Sequence, residues 1–237
     1  MDRPDESILS ALADLPVPTL TATLYGLGIT NCFLVGLTPL DPENARFVGT
    51  ARTMRALPVR EDIRDGLGRG DLPNLHREGL AALEPGDVVV TDCGGDARLS
   101  FFGELISTHL KTRGVAAIVT DAGIADVADV AATGLPVFAQ GSAPIPGPAR
   151  KIVSDLDRPV SCMGTTVYPG DVLVGDANGV AVIPRAMAAE VAAKATEKER
   201  LERFLLQRLK DGAPLQGTYP PDEATMAAYR EHLAVEK

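Results

Sequence analysis

Two short, continuous apolar segments limit the possible folds of this chain, and each is followed by an aspartate with a glycine two residues later. Residues 88–91 (VVVT) lead into DCGG at 92–95, and residues 115–120 (VAAIVT) lead into DAG at 121–123. Segments of this length without polar alternation are typical of strands that are buried on both faces, as in a parallel sheet. Because a predicted helix over 100–113 separates them, we expect two parallel strands joined by a right-handed crossover.

Further elements extend this unit into a mixed sheet. A short helix over 125–133 leads to a third apolar segment at 136–139, which continues the strand–helix–strand rhythm of a parallel sheet. Two later apolar segments, 172–176 and 180–184, flank Asn178-Gly179, a dipeptide typical of an antiparallel hairpin. The remaining predicted elements are a helical pair over 5–28 interrupted at Pro16 and Pro18, a strand within 44–60, a loop or short helix over 61–79, a long helix over 185–211 that ends at Gly212, and a short helix over 223–232.

The composition favours a globular protein that binds neither nucleic acid nor an anionic membrane. The 237 residues carry 23 basic and 32 acidic side chains, a net charge of −9, so no basic surface is expected that could release counterions from a polyanion. The sequence has no apolar run of about 18 residues, and its acidic start differs from a secretory leader. We expect a cytoplasmic protein with a single domain over 1–237, whose core covers about 15–212 and whose helical tail covers 213–237.

The candidate site lies where the two predicted strands end, because ligands of parallel α/β sheets bind beyond the carboxyl ends of the strands. Backbone N–H groups from Ser100 to Glu104 open the helix that follows the first strand, and a helix N-terminus attracts a carboxylate or phosphate. Asp126 and Glu104 offer hard oxygen ligands for Mg²⁺ or Mn²⁺. An anion site beside a divalent cation suits a 2-oxo acid, whose carbonyl the metal polarises and whose enolate it stabilises.

A purely structural explanation of the same residues stays open. Aspartate and glycine after a strand are common in turns, and two acidic residues do not make a complete ligand set. Cys93 lies at a strand end but has no histidine or basic residue close to it in sequence, so a small buried residue is the better interpretation. His109 falls inside a predicted helix and is expected to be a packed or surface residue.

Several segments resemble one known family. The resemblance is carried by GEL at 103–105, RGVAAIVTDAGIAD at 113–126, PGDV at 85–88 and 169–172, and DANGV at 176–180. These segments are similar to the RraA-like family, which contains metal-dependent 4-hydroxy-4-methyl-2-oxoglutarate / 4-carboxy-4-hydroxy-2-oxoadipate aldolases and regulators of ribonuclease E. The resemblance implies an α/β fold of the swivelling β/β/α type, with mixed sheets and a long C-terminal helix. It also implies a homo-oligomer, a trimer or a dimer of trimers, with active sites at the subunit interfaces.

The resemblance further assigns roles to residues of this sequence. Asp126 matches the metal-binding aspartate of the family, and Glu104 matches an acidic position that holds metal-bound water. A glutamate from the C-terminal helix of a neighbouring subunit completes the metal site, and Glu199 and Glu202 are the candidates. The loop that holds the carboxylate of a pyruvyl group matches the backbone N–H groups around Ser100, Phe101, Phe102, Gly103 and Glu104.

The sequence departs from the family pattern at two places. The aldolases have Gly-x-Arg-Asp, but Ala125 stands in the position of that substrate-binding arginine, and TATL at 21–24 replaces the family's Ser-Asp-Ala-Leu. Loss of the arginine is expected to cost on the order of 3 kcal/mol of transition-state stabilisation, by analogy with the loss of an oxyanion donor. Arg98, Arg52 and Arg55 are the candidates for a replacement charge.

Together these inferences predict a divalent-metal-dependent carbon–carbon lyase of the aldolase or decarboxylase type, similar to class II pyruvate aldolases and oxaloacetate decarboxylases. Its expected substrate is a small carboxylic acid, a 2-oxo or 2-hydroxy dicarboxylic acid. Three alternatives stay open: a metal-dependent enzyme of another reaction type on a similar acid, a non-catalytic regulator, and a metabolite-binding protein.

Overall fold

The computed structural model describes residues 3–235, so the outermost residues of the predicted domain 1–237 lie outside the described part. The helices are α1 (Glu6–Ala13), α2 (Val17–Gly26), α3 (Glu61–Arg69), α4 (Leu75–Ala81), α5 (Glu104–Thr112), α6 (Val127–Ala132), α7 (Ala188–Lys210), the single turn α8 (Leu215–Thr218) and α9 (Glu223–Val235). The strands are β1 (Thr38–Pro39), β2 (Phe47–Pro58), β3 (Asp87–Asp92), β4 (Ala117–Thr120), β5 (Val137–Ala139), β6 (Lys151–Leu156), β7 (Val160–Cys162), β8 (Thr165–Val167), β9 (Val172–Asp176) and β10 (Gly179–Ile183).

A mixed sheet of eight strands forms the centre of the fold, in the order β1-β5-β4-β3-β2-β9-β10, with β6 paired to β2. Strands β2 to β5 run parallel, which confirms the parallel strands predicted from the two apolar segments. The long strand β2 joins the parallel and antiparallel parts, because its first half pairs with β9 and its second half with β6, both antiparallel. All parallel strands therefore end at one edge of the sheet, where the candidate residues lie.

Each face of the sheet is covered by a different layer. Helices α4, α5 and α6 cover one face of the parallel strands, to which they contribute buried residues such as Leu110 and Val130. The hairpin β7–β8 covers the opposite face, where Val167 packs with Val90 of β3. Helices α1, α2 and α7 pack over β9 and β10. This architecture confirms the predicted α/β class with mixed sheets and a long C-terminal helix.

Several predicted elements form with nearly the expected bounds. The hairpin turn at Asn178 is closed by Asp176, whose Oδ1 accepts from the Asn178 backbone N–H at 2.7 Å. The helical pair breaks at Pro16, and residues 61–79 form most of α3 and α4. Within residues 3–235 no single helix is long and apolar enough to cross a membrane. The bent pair α1–α2, with 114° between its halves, passes that test only when both helices are counted together.

The structure differs from the prediction at the start of α5 and in the segment after β5. Helix α5 begins at Glu104, not at Ser100, because Ser100 is held in an extended segment: its N–H donates to the Ile145 carbonyl at 2.9 Å, and its carbonyl accepts from Gly147 N–H at 2.7 Å. Strands β6, β7 and β8 were not predicted. The sequence of β6, KIVSDL, does not alternate apolar and polar residues, and most of the strand is only half-buried.

Asp121, at the end of β4, links the loops that follow β3 and β4. Its side chain is buried and accepts hydrogen bonds from the backbone N–H groups of Cys93 and of Gly95, the latter at 2.8 Å. Burial raises the pKa of Asp121 to about 6, although both hydrogen bonds favour the charged form. Asp121 therefore fixes the position of the loop after β3, although burial of its charged carboxylate is unfavourable.

This desolvation predicts a pH dependence of stability. Because the pKa of Asp121 is about 6 in the folded protein against an ordinary 3.8, the folded state binds the proton more tightly than the unfolded state. The free energy of unfolding should therefore fall as the pH rises from about 4 to about 6, by at most about 3 kcal/mol from this group. Asp121→Asn does not titrate, so the difference in urea-unfolding free energy between wild type and variant should follow this change. A difference that stays constant over that pH range would contradict the assignment.

Candidate functional site

Two loops meet at the carboxyl edge of the sheet and form the candidate site. The loop after β4 lies against the loop after β3, because Gly123 N–H donates to the Leu99 carbonyl at 3.0 Å. The Ala125 N–H donates to the hydroxyl oxygen of Ser100 at 3.0 Å and to the Phe102 carbonyl at 3.1 Å. These bonds bring residues 125 and 126 beside the start of α5.

Asp126 and Glu104, the two predicted metal ligands, are neighbours in the structure. Oδ2 of Asp126 accepts from the backbone N–H of Glu104 at 3.2 Å, so the aspartate caps the N-terminus of α5. Asp126 itself has left-handed backbone angles, with φ 50° and ψ 44°, a conformation that aspartate tolerates better than most residues. A Cβ at Gly103 would lie only 2.6 Å from Asp126 Oδ2, so glycine at this position leaves the space that the carboxylate occupies.

The open N–H groups around the start of α5 extend further along the chain than the sequence indicated. Among the predicted carboxylate-binding residues, the N–H groups of Ser100, Phe102 and Glu104 already donate to acceptors of the protein, whereas those of Phe101 and Gly103 have no acceptor in the described part of the chain. The first N–H groups of a helix have no acceptor within it, and Gly103 has no side chain to cap them. In the described part of the chain, the N–H groups of Leu105 and Ile106 have no acceptor. The first N–H groups of any helix lack acceptors within it, so a correct prediction of the helix start would have identified these two residues.

The donors present suit a hard divalent cation but do not by themselves enclose one. Among residues 3–235 no group of three or more histidine, cysteine, aspartate or glutamate side chains could hold a metal ion. Asp126 and Glu104 are both exposed, and the backbone N–H of Glu104 lies 3.2 Å from Asp126 Oδ2. Mg²⁺ is commonly held by one or two carboxylates, with water and substrate oxygens as its other ligands. The pair therefore fits Mg²⁺ or Mn²⁺ with an incomplete shell.

The two glutamates predicted to complete this shell lie on α7, away from the site within one protomer. Glu199 Oε2 accepts from the Thr19 hydroxyl at 3.0 Å, and its Oε1 lies 3.2 Å from Arg203 Nε. Glu202 pairs with Lys198 at 2.8 Å. That Glu199 or Glu202 completes the site of a neighbouring subunit stays a prediction.

None of the three arginines considered as a replacement for the missing positive charge contacts Asp126 or Glu104. Arg52 is held by Asp157 through two hydrogen bonds of 2.9 and 2.8 Å, and Arg55 donates to the Pro159 carbonyl at 2.6 Å. Arg98 is exposed and forms a bidentate pair with Asp96. At residue 125 itself, the backbone N–H is engaged in the contact between the loops, whereas the side chain is only a methyl group.

Two other candidate side chains have structural positions. Cys93 is fully buried, and burial raises the pKa of its thiol to about 12, so it stays protonated at neutral pH. The interpretation of Cys93 as a small buried residue is thereby confirmed. His109 is exposed on α5, in agreement with the expectation of a packed or surface residue.

Because Asp126 caps α5 and has left-handed backbone angles, two substitutions of this residue should differ in their effect on stability. Asp126→Ala removes the hydrogen-bond acceptor and places alanine in the left-handed region, so it should lower the free energy of unfolding by about 1–3 kcal/mol. Asp126→Asn keeps an acceptor oxygen and tolerates the same backbone angles, so it should cost less than about 1 kcal/mol. Chemical denaturation measures both. Equal losses in the two variants would show that the charge, and not the cap, stabilises this turn.

Comparisons with known proteins agree with this architecture. A family model described as RraA-like, Aldolase/RraA, matches residues 17–182. A protein of Halalkalibacterium halodurans, provisionally named 4-hydroxy-4-methyl-2-oxoglutarate aldolase, is 31% identical over 200 residues, which cover 84% of this chain and 87% of the relative.

Solved structures show the same fold. Streptomyces coelicolor RraAS2, described as an unusual member of the RNase ES inhibitor RraA protein family, is 31% identical with a TM-score of 0.77, over 86% of this chain and 98% of that one. An uncharacterized protein from Pseudomonas syringae pv. tomato has a TM-score of 0.80 at 24% identity, over 92% of this chain and all of the other, which shows the fold alone. The extent of the family match, together with the architecture, shows that this chain belongs to the RraA-like (Aldolase/RraA) family.

Proposed function

We infer that this protein is a divalent-metal-dependent lyase that breaks a carbon–carbon bond in a 2-oxo or 2-hydroxy dicarboxylic acid. The observation that carries the proposal is the placement of Asp126 and Glu104 beside the open N–H groups of Leu105 and Ile106. This arrangement offers carboxylate ligands for a cation next to backbone donors for an anion. The provisional name of the Halalkalibacterium halodurans relative as an aldolase supports the same reaction class.

The residues of the site divide the work between binding and proton transfer. The N–H groups of Leu105 and Ile106, at the positive end of α5, orient the substrate carboxylate. Asp126 and Glu104 hold Mg²⁺ or Mn²⁺, which when bound polarises the adjacent 2-oxo group. On cleavage, the electron pair of the carbon–carbon bond would form the enolate of pyruvate. The other fragment would leave as CO2 or, after loss of its hydroxyl proton, as a second carbonyl compound, and a proton added to the enolate carbon would give pyruvate. Glu104, which is exposed to solvent, hands on that proton through its carboxylate.

The absence of an arginine at residue 125 leaves the negative charge that develops on the substrate oxygen with one donor fewer. We propose that Glu199 or Glu202 of a neighbouring subunit adds a carboxylate to the metal site in a homo-oligomer, as the family resemblance implies. These glutamates add negative charge and do not replace the arginine. The proposed enzyme is therefore expected to be slow on substrates whose cleavage needs strong stabilisation of an oxyanion.

The proposal predicts release of pyruvate from oxaloacetate or 4-hydroxy-4-methyl-2-oxoglutarate that requires Mg²⁺ or Mn²⁺ and stops with a chelator. Asp126→Asn and Glu104→Gln should each lower the rate at least about 100-fold, because each removes a charged ligand while keeping its shape. Asp129→Asn, an exposed aspartate on α6, is the matched control and should retain the wild-type rate. Release no faster than with the metal alone would refute the lyase.

We expect that an arginine introduced at residue 125 increases the rate of pyruvate release. The side chain of Ala125 is half-buried next to Gly103, and its backbone N–H is already engaged, so a longer side chain can be added without breaking the contact between the loops. Ala125→Arg should raise kcat/KM for pyruvate release by about 100-fold, the usual worth of one oxyanion donor. Ala125→Gln, of similar length without charge, should raise it far less. An equal rate in both variants would show that charge at this position is not limiting.

A binding role without catalysis is the second candidate. The observation that favours it is the similarity to RraAS2, which is described as a member of a family of RNase ES inhibitors. This candidate predicts that the wild-type protein releases no pyruvate with either metal, and the assay above therefore distinguishes the two.

A further inference from the structure

A cavity of about 820 Å³ lies between α3, α4, the first turn of α5 and β6. Its apolar wall includes Leu67, Leu75, Leu80, Ile106 and Ile152. Small-molecule sites in proteins are typically of this size, with mostly apolar walls and a few polar groups that orient the ligand. Neither Asp126 nor Glu104 lines the cavity, but Ile106, whose backbone N–H belongs to the proposed anion site, does.

The charged side chains that line this cavity are both arginines. Arg64 and Arg77 contribute to the lining, and no described aspartate or glutamate does, although the chain as a whole carries a net charge of −9. Arg64 contacts Asp65 at 3.5 Å, whereas Arg77 has no ion pair in the part of the chain that the structure describes. An exposed guanidinium beside apolar walls is complementary to a carboxylate with an apolar body.

His76 adds an aromatic surface to the cavity and no charge. Burial, and to a smaller extent the charge of Arg77, lower the pKa of His76 to about 4, so its ring is neutral at pH 7. The ring lies 5.1 Å from that of Phe101, which also lines the cavity. Phe101 in turn packs on Gly147, where a Cβ would lie 2.6 Å from the phenyl ring. The cavity wall is therefore built into the loop that precedes α5.

We propose that this cavity binds a small carboxylic acid with an aliphatic or aromatic body. The body lies against Leu67, Leu75 and Leu80, and the carboxylate pairs with Arg77. The acid is either a separate molecule or a substrate whose apolar end enters the cavity. In both cases the cavity contacts an apolar body and a carboxylate. The inference does not depend on the proposed lyase activity.

Isothermal titration calorimetry with the full chain tests the site, with 4-phenylbutyrate as the probe and butyrate as a ligand with the same head group. The phenyl group buries apolar area that butyrate lacks, so 4-phenylbutyrate should bind at least about tenfold more tightly. Arg77→Gln should weaken that binding about tenfold. Arg69→Gln is the matched control: Arg69 pairs with Asp71 at 2.8 Å outside the lining and should not affect the Kd.

A second variant fills the cavity instead of removing the charge. Leu67→Trp should abolish binding of 4-phenylbutyrate, whereas Leu206→Trp, at an exposed position of α7, should not. Circular dichroism confirms that each variant is folded. Equal affinity for butyrate and 4-phenylbutyrate, or an unchanged Kd in folded Arg77→Gln or Leu67→Trp, would overturn the proposal.

A competition experiment identifies the source of the acid. Displacement of 4-phenylbutyrate by pyruvate would assign the cavity to the substrate, and simultaneous binding would assign it to a separate molecule. Both results support an acid site. Because calorimetry measures binding, this experiment tests the acid site whether or not pyruvate release is detected.

Discussion

The hydrogen bonds between the loop after β3 and the loop after β4 are the constraint on which the candidate site depends. Ser100 accepts from Ala125 through its hydroxyl, Asp121 accepts from Cys93 and Gly95, and Asp126 caps α5. Each bond involves at least one backbone group. Parallel strands bring their carboxyl ends to one edge of the sheet, but these bonds set which residues of the two loops face each other.

A site built largely from backbone contacts tolerates changes in its side chains. The contact between the loops uses the N–H of Ala125 and makes no use of its methyl group, so residue 125 can lose an arginine without loss of the local fold. Glycine is required where the chains approach most closely, as at Gly103 beside the Asp126 carboxylate. The shape of the site is therefore maintained separately from the charge that it presents. This separation explains how a member of the family can keep Asp126 and Glu104 while the arginine beside them is replaced.

The charges of the molecule are arranged unevenly around this edge. Asp126 and Glu104 are exposed carboxylates at the positive end of α5, whereas Arg52 is withdrawn into contacts with Asp157 and Asp87. The cavity beside α3 and α4 has the opposite character, because its charged lining residues are arginines. A cation is therefore favoured on one side of the loop 100–103, and an apolar anion on the other. The two environments adjoin at this loop and the first turn of α5, because Ser100, Phe101 and Ile106 line the cavity.

Local signals were sufficient to predict the parallel strands, the Asn178-Gly179 hairpin and the long helix α7, because continuous apolar segments, turn dipeptides and helical periodicity can be recognised within short stretches of sequence. It also identified Asp126 and Glu104 as neighbours through the resemblance to the family. The start of α5 at Glu104 could not be predicted in this way, since Ser100 is held by a strand-like contact with residues 145–147, which are distant in sequence. The open N–H groups of Leu105 and Ile106, the engagement of Arg52 and Arg55, and the cavity under α3 and α4 depend on the same kind of long-range contact. Such contacts leave no periodic trace in the sequence, because they are set by which loops the folded sheet brings together.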